Sequence, residues 1–186
     1  MTIHCLSARL FRSFFVTGCL AATLLISSCS KDEEGIPNRI IIDGTAYTLS
    51  KGYITGYGVD DDASGNLGSL YEVLLVSSGV AYDGDDLSGT GQLLYMGLFS
   101  RSTIELAAGT YTVRDSFLEG SVLESFAADG NFTTGSGSGY EITNGTLTIS
   151  KSGNSWVFKF EFTATASGGS TVEITGSFSG ELEEVE

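Results

Sequence analysis

The sequence predicts an all-β domain, an antiparallel β-sandwich with a lipocalin-like β-barrel as the alternative, behind an N-terminal signal peptide. Three observations carry this expectation. Trp156, Phe158, Phe160, Phe162, Ala164 and Ala166 alternate with Val157, Lys159, Glu161, Thr163 and Thr165, the period of a long half-buried strand. Val172, Ile174, Gly176, Phe178, Gly180 and Leu182 repeat the alternation against Glu173, Thr175, Ser177, Ser179 and Glu181. Asp-Gly, Asn-Gly, Gly-Asn and Gly-Gly pairs punctuate such runs, and each accepts the positive φ angles of tight hairpin turns.

Three segments follow in chain order: residues 1–28, a signal peptide; residues 29–39, a lipidated cysteine and acidic tether; and residues 40–186, a single β domain. Residues 1–28 combine Arg9 and Arg12, no acidic residue, an apolar stretch over 14–26 and small residues before Cys29. An apolar stretch of 13 residues suits a signal peptide and falls short of the roughly 20 that span a bilayer as a helix. Pro37, the only proline, stiffens the junction between tether and domain.

Ile26-Ser27-Ser28-Cys29 resembles the lipobox of bacterial lipoproteins, which implies cleavage before Cys29 and acylation of its thiol. Each buried methylene of such chains contributes about 0.8 kcal/mol, so several chains anchor the protein firmly to a membrane. Ser30 followed by Lys31, Asp32, Glu33 and Glu34 resembles the export signal of Bacteroidota surface lipoproteins. That resemblance implies an outer-membrane protein facing the cell exterior. From Ser30 to Arg39 the tether reaches about 33 to 36 Å when extended.

Composition excludes several chemistries. Loss of residues 1–28 removes the only histidine, His4, together with Cys5 and Cys19, so Cys29 is the one remaining cysteine. Histidine-dependent hydrolases, Cys-His pairs and most zinc sites are thereby excluded, and no intramolecular disulfide can form. Seven basic residues face 23 acidic ones in the remainder, a formal charge of −16. Such a field repels phosphate backbones and argues against nucleic acid as a partner.

Along the domain, residues 40–42 and 45–49 flank Asp43-Gly44 as a first hairpin. Runs 70–76 and 92–99 are apolar at both parities and are expected as central strands covered on two faces. Residues 77–91 read as a loop and 109–113 as a short strand. Over 116–128, Val122, Leu123, Phe126 and Ala127 can share a helical face, so a short helix competes there with irregular chain. Residues 130–139, which include Gly135-Ser136-Gly137-Ser138-Gly139, read as a loop.

Turn chemistry sets a register for the C-terminal third. Taking Asn144-Gly145 and Gly153-Asn154 as two-residue turns places Ile142 opposite Leu147, Ile149 opposite Phe158, and Leu147 opposite Phe160. A three-residue loop at 167–169 then sets Phe162 against Ile174 and Phe158 against Phe178, with Trp156 and Phe160 over Gly180 and Gly176. Residues 139–184 thus form a four-stranded meander. Segments 105–111 and 174–182 resemble features of β-rich Bacteroidota surface lipoproteins, a resemblance that implies a fold and no particular activity.

Candidate site residues are few. Asp60, Asp62 and Ser64, with Gly65 at position six, match the opening of a calcium loop, whose alternation converges hard oxygens on one ion. Position twelve is Tyr71 where an EF-hand needs a bidentate acid, and the flanks read as strands. A turn between strands is therefore the competing explanation. Tyr53, Tyr57 and Tyr82 are the aromatics expected at the surface, where they can stack on a ligand. No pair of carboxylates is singled out for glycoside hydrolysis, and no other cofactor is implied. The functional expectation is non-enzymatic binding of an extracellular glycan or protein partner. A structural or adhesive subunit and a lipocalin-like small-ligand binder are the alternatives.

Overall fold

The two period-two runs of the C-terminal third form long antiparallel strands in a computed structural model that describes residues 37–185. Cys29 and the export residues Lys31, Asp32, Glu33 and Glu34 lie outside the described residues. Twelve strands follow in chain order: β1 (Arg39–Ile42), β2 (Thr45–Thr48), β3 (Lys51–Asp61), β4 (Leu67–Val76), β5 (Val80–Tyr82), β6 (Leu87–Ser100), β7 (Gly109–Val113), β8 (Ser121–Asn131), β9 (Ser136–Ser152), β10 (Ser155–Ala166), β11 (Thr171–Gly180) and β12 (Leu182–Glu184). Their spatial order is β12-β3-β4-β6-β8-β7-β9-β10-β11-β1-β2, with β5 added beside β6.

This order forces the sheet to curl. β12 stands at one end of it, yet a single residue, Glu181, joins β12 to β11 near the other end. Likewise β2, the opposite terminus, feeds β3 through Leu49 and Ser50. The architecture is all-β, a curled sheet of the sandwich and barrel kind. Its pairings are antiparallel except for β12 on β3 and β7 on β8.

The inside of the curl is filled by β10. Phe158, Phe160 and Phe162 are fully buried there with Tyr111, Leu147, Ile149, Ile174 and Phe178. Ile149 faces Phe158, Leu147 faces Phe160, Phe162 faces Ile174 and Phe158 faces Phe178, as turn chemistry predicts. Trp156 also points inward, with Lys151 Nζ 4.4 Å from its ring centroid. The Phe160 ring lies against Gly176, but at Gly180 the neighbouring ring is Phe178 and not Trp156.

The first hairpin turns through Asp43 (φ 48°) and Gly44 (φ 77°), the conformation of a type I′ turn. Both expected central strands are covered on two faces. Val73, Leu75, Leu94, Met96 and Leu98 belong to the interior, while Leu74, Val76 and Leu93 join Tyr53 and Val80 in a second cluster outside it.

Four expectations are corrected. Asn144-Gly145 is no turn: β9 runs through it, and an extra residue there forms a bulge opposite Thr163 and Ala164. A Cβ at Gly145 would strike the Glu161 carbonyl and Phe162, so the glycine serves close strand approach. The meander consequently has three strands, since the two expected on either side of Asn144-Gly145 are the single β9, and Leu182–Glu184 leaves it to pair with β3. The helix considered over 116–128 is absent: residues 121–128 belong to strand β8 and 116–120 to the connection before it. Val122, Ser125 and Ala127 all pair with inward residues of β6, and a bulge spaces the first two by three positions, which imitates a helical period. Finally, the presumed loops 77–91 and 130–139 contain β5, the start of β6 and the start of β9.

Because Phe160 is sealed on both neighbouring strands, Phe160→Ala is expected to lower unfolding free energy by about 3–5 kcal/mol, measured by urea denaturation. Gly176→Ala, which drives a methyl into the Phe160 ring and the Arg39 carbonyl, is expected to cost about 1–3 kcal/mol.

Candidate functional site

Pairing across four adjacent strands builds a row of side chains on the outside of the curl. Tyr53 on β3 lies opposite Leu74 on β4, Leu74 opposite Tyr95 on β6, and Tyr95 opposite Phe126 on β8. Adjacent strands sit about 4.8 Å apart, so the row is roughly 14 Å long. A second row places Thr55 beside Glu72 and Glu72 beside Gly97. Having no side chain, Gly97 leaves that flank of the carboxylate uncovered.

β5 folds back beside the row. Its Tyr82 meets Tyr53 edge to face, with centroids 5.4 Å apart at 78°. The Tyr82 hydroxyl donates to the Gly84 carbonyl at 2.6 Å, which holds the ring at the mouth of the following turn. Asp83 organises that turn by accepting the N–H groups of Asp85 (3.2 Å) and Asp86 (2.9 Å). Tyr95 and Phe126 stack at 5.2 Å and 27°. Such aromatic pairs contribute about 0.5–1.5 kcal/mol beyond the area they bury.

Together these side chains enclose a pocket of about 220 Å³ lined by Tyr53, Thr55, Glu72, Leu74, Tyr82, Leu87, Tyr95 and Phe126. Six of the eight are aromatic or aliphatic, and Glu72 is the single carboxylic acid among them. The Tyr57 hydroxyl donates to Glu72 Oε2 at 2.9 Å from the pocket rim. That hydrogen bond, then partial burial and the carboxylate's charge, raises the Tyr57 pKa above 10.0. Burial first, then Glu72, raises Tyr95; burial, then Glu72, Asp85 and Asp83, raises Tyr82. All three phenols therefore remain neutral through physiological pH.

The three tyrosines singled out by sequence thus converge on one place. Tyr57 is exposed (58 %) and Tyr82 half-buried. Tyr53, expected at the surface, is instead 3 % exposed, because Tyr82 and the pocket walls cover it. Glu72, Tyr95 and Phe126 were not legible as site residues. The available signal was an acid interrupting Leu70-Tyr71-Glu72-Val73-Leu74 and a hydroxyl-bearing ring interrupting Leu93-Leu94-Tyr95-Met96.

Asp60, Asp62 and Ser64 lie at the far end of β3. Asp60 accepts its neighbour's N–H at 2.8 Å. Asp62, 6 % exposed, accepts four N–H donors: the backbone of Ser64 and Asn66 (both 2.8 Å) on Oδ1, and Asn66 Nδ2 (3.1 Å) with the Glu119 backbone (3.3 Å) on Oδ2. Ser64 contributes its N–H to this knot. The alternation of oxygens here closes an Asx-type turn and, through Glu119 and the Ala63 N–H bond to the Phe117 carbonyl at 2.7 Å, pins it to the β7–β8 connection. Among the described residues no three acidic, histidine or cysteine side chains converge on a point. Calcium would have to displace these N–H donors from Asp62.

No family model, curated protein or solved structure matches this chain.

The N–H groups of Asn66, foremost, hold the Asp62 carboxyl below its ordinary 3.8. Its stabilising contribution is thus complete above that value and disappears as pH falls through the lower folded value. Asp62→Asn is expected to flatten the acid limb of the stability profile and to speed hydrogen exchange at Ser64, Asn66 and Glu119. Calcium added to chelator-treated protein is expected to leave the melting temperature unchanged.

Proposed function

We propose that this chain is an outer-membrane lipoprotein, anchored through Cys29 and facing the cell exterior, whose β-domain binds an extracellular glycan or protein partner without catalysis. The aromatic row of Tyr53, Leu74, Tyr95 and Phe126, walled by Tyr82 and carrying Glu72, supports the binding reading. Rings held at strand positions are preorganised, so little rotamer entropy is lost when a ligand stacks on them. The acidic residues after Cys29 support the outward orientation.

The lipocalin-like reading finds less support, since Phe158, Phe160, Phe162 and Phe178 occupy the inside of the curl. An adhesive reading draws on β3, which β12 covers only at Gly52, Tyr53 and Ile54. The rest of that edge carries a bulge between Gly56 and Val59 and ends in Asp60-Asp61, devices that oppose strand addition.

Cys29→Ala is expected to abolish metabolic labelling with radioactive palmitate and leave the precursor uncleaved. Replacing Asp32, Glu33 and Glu34 by alanine is expected to protect the protein from protease added to intact cells. On a glycan array or against surface extracts, Tyr82→Ala and Phe126→Ala are each expected to weaken binding about tenfold, as loss of an aromatic contact does, with the melting temperature kept.

A further inference from the structure

Glu72 is a half-buried carboxylate set in an apolar pocket, and leaving such a charge without a cation is costly. Among the described residues its hydrogen-bond donors are neutral phenols, Tyr57 and Tyr95, and no lysine or arginine nitrogen lies within 4.0 Å. The walls are rings. Tyr53, Tyr82, Tyr95 and Phe126 surround the space beside the carboxylate, and aromatic faces attract cations. Tyr53 already draws one, with Lys51 Nζ 5.9 Å from its centroid.

Size and hydrogen bonding narrow the choice of ligand. At about 220 Å³ the space is below the roughly 300–1,000 Å³ of whole-ligand pockets, so it suits a compact head group. A sugar ring offers many hydroxyls, and the lining answers with few polar atoms, those of Thr55, Glu72 and the phenols. A primary ammonium would likewise surrender water without three acceptors in return. A quaternary ammonium has no N–H to satisfy, and its methyl groups carry the charge against the rings. The acidic turn of Asp83, Asp85 and Asp86 at Tyr82 favours the same sign of charge.

We infer that this pocket receives a quaternary ammonium group of the ligand, enclosed by Tyr53, Tyr82, Tyr95 and Phe126 and neutralised by Glu72. The inference rests on the pocket being the binding site proposed above and names the chemistry it selects.

Calorimetric titration of the purified full-length protein with tetramethylammonium, choline and the uncharged choline isostere 3,3-dimethylbutan-1-ol tests it. Both cations are expected to bind at least about tenfold more tightly than the isostere. Glu72→Gln, which keeps shape and removes charge, is expected to erase that preference, and Phe126→Ala to weaken both cations while the melting temperature holds. A phosphocholine arm separates the sources: tighter binding than choline assigns the group to a phosphate-linked headgroup, weaker binding to a cation without an adjoining anion. Equal affinity for choline and its isostere, or an unchanged preference in Glu72→Gln, overturns the inference. Should an array ligand depend on Tyr82 and Phe126 while tetramethylammonium fails to displace it, the binding reading stands and the ammonium assignment falls.

Discussion

Everything in this domain depends on the row of rings that β10 sends into the curl. Residues 37–185 contain no cysteine, so no covalent tie helps hold the sheet, and packing must supply its stability. Phe158, Phe160 and Phe162 meet β9 on one side and β11 on the other. The glycine at 176 lets the Arg39 carbonyl of β1 and the Phe160 ring close in together. Ring and glycine are one device: either alone leaves a void or a clash.

The outer face of the sheet solves a different problem. β4 and β6 lie mid-sheet and are apolar at both parities, so burial of their inner residues leaves Leu74, Val76 and Leu93 needing cover. The short strand β5 supplies it over part of the area, with Val80 and Tyr82. Where β5 stops, the aromatic row emerges. The pocket is thus the uncovered remainder of a secondary core, and its walls are rigid because they belong to strands that the interior also holds.

How much of this was legible follows from where local rules govern. The register of β9, β10 and β11 could be worked out because period-two alternation and a two-residue turn at Gly153-Asn154 specify it jointly. Asn144-Gly145 misled because the dipeptide that fits a type I′ turn also fits a bulge, and only the neighbouring strand decides between them. The bulge in β8 hid its strand character for the same reason: one added residue converts a spacing of two into three. Of the site, Tyr57 and Tyr82 were found as aromatics expected at the surface. Glu72, Tyr95 and Phe126 were not, since their neighbourhood exists only across strands 23 and 31 residues apart in the chain.

β1, the first strand, pairs with β11, and β12, the last, pairs with β3. β4 and β6 can pair early, but the edge strand beside β3 waits for residues 182–184. Long-range pairings of this kind make folding slow. The complete sheet therefore assembles only once residues 182–184 are present to pair with β3.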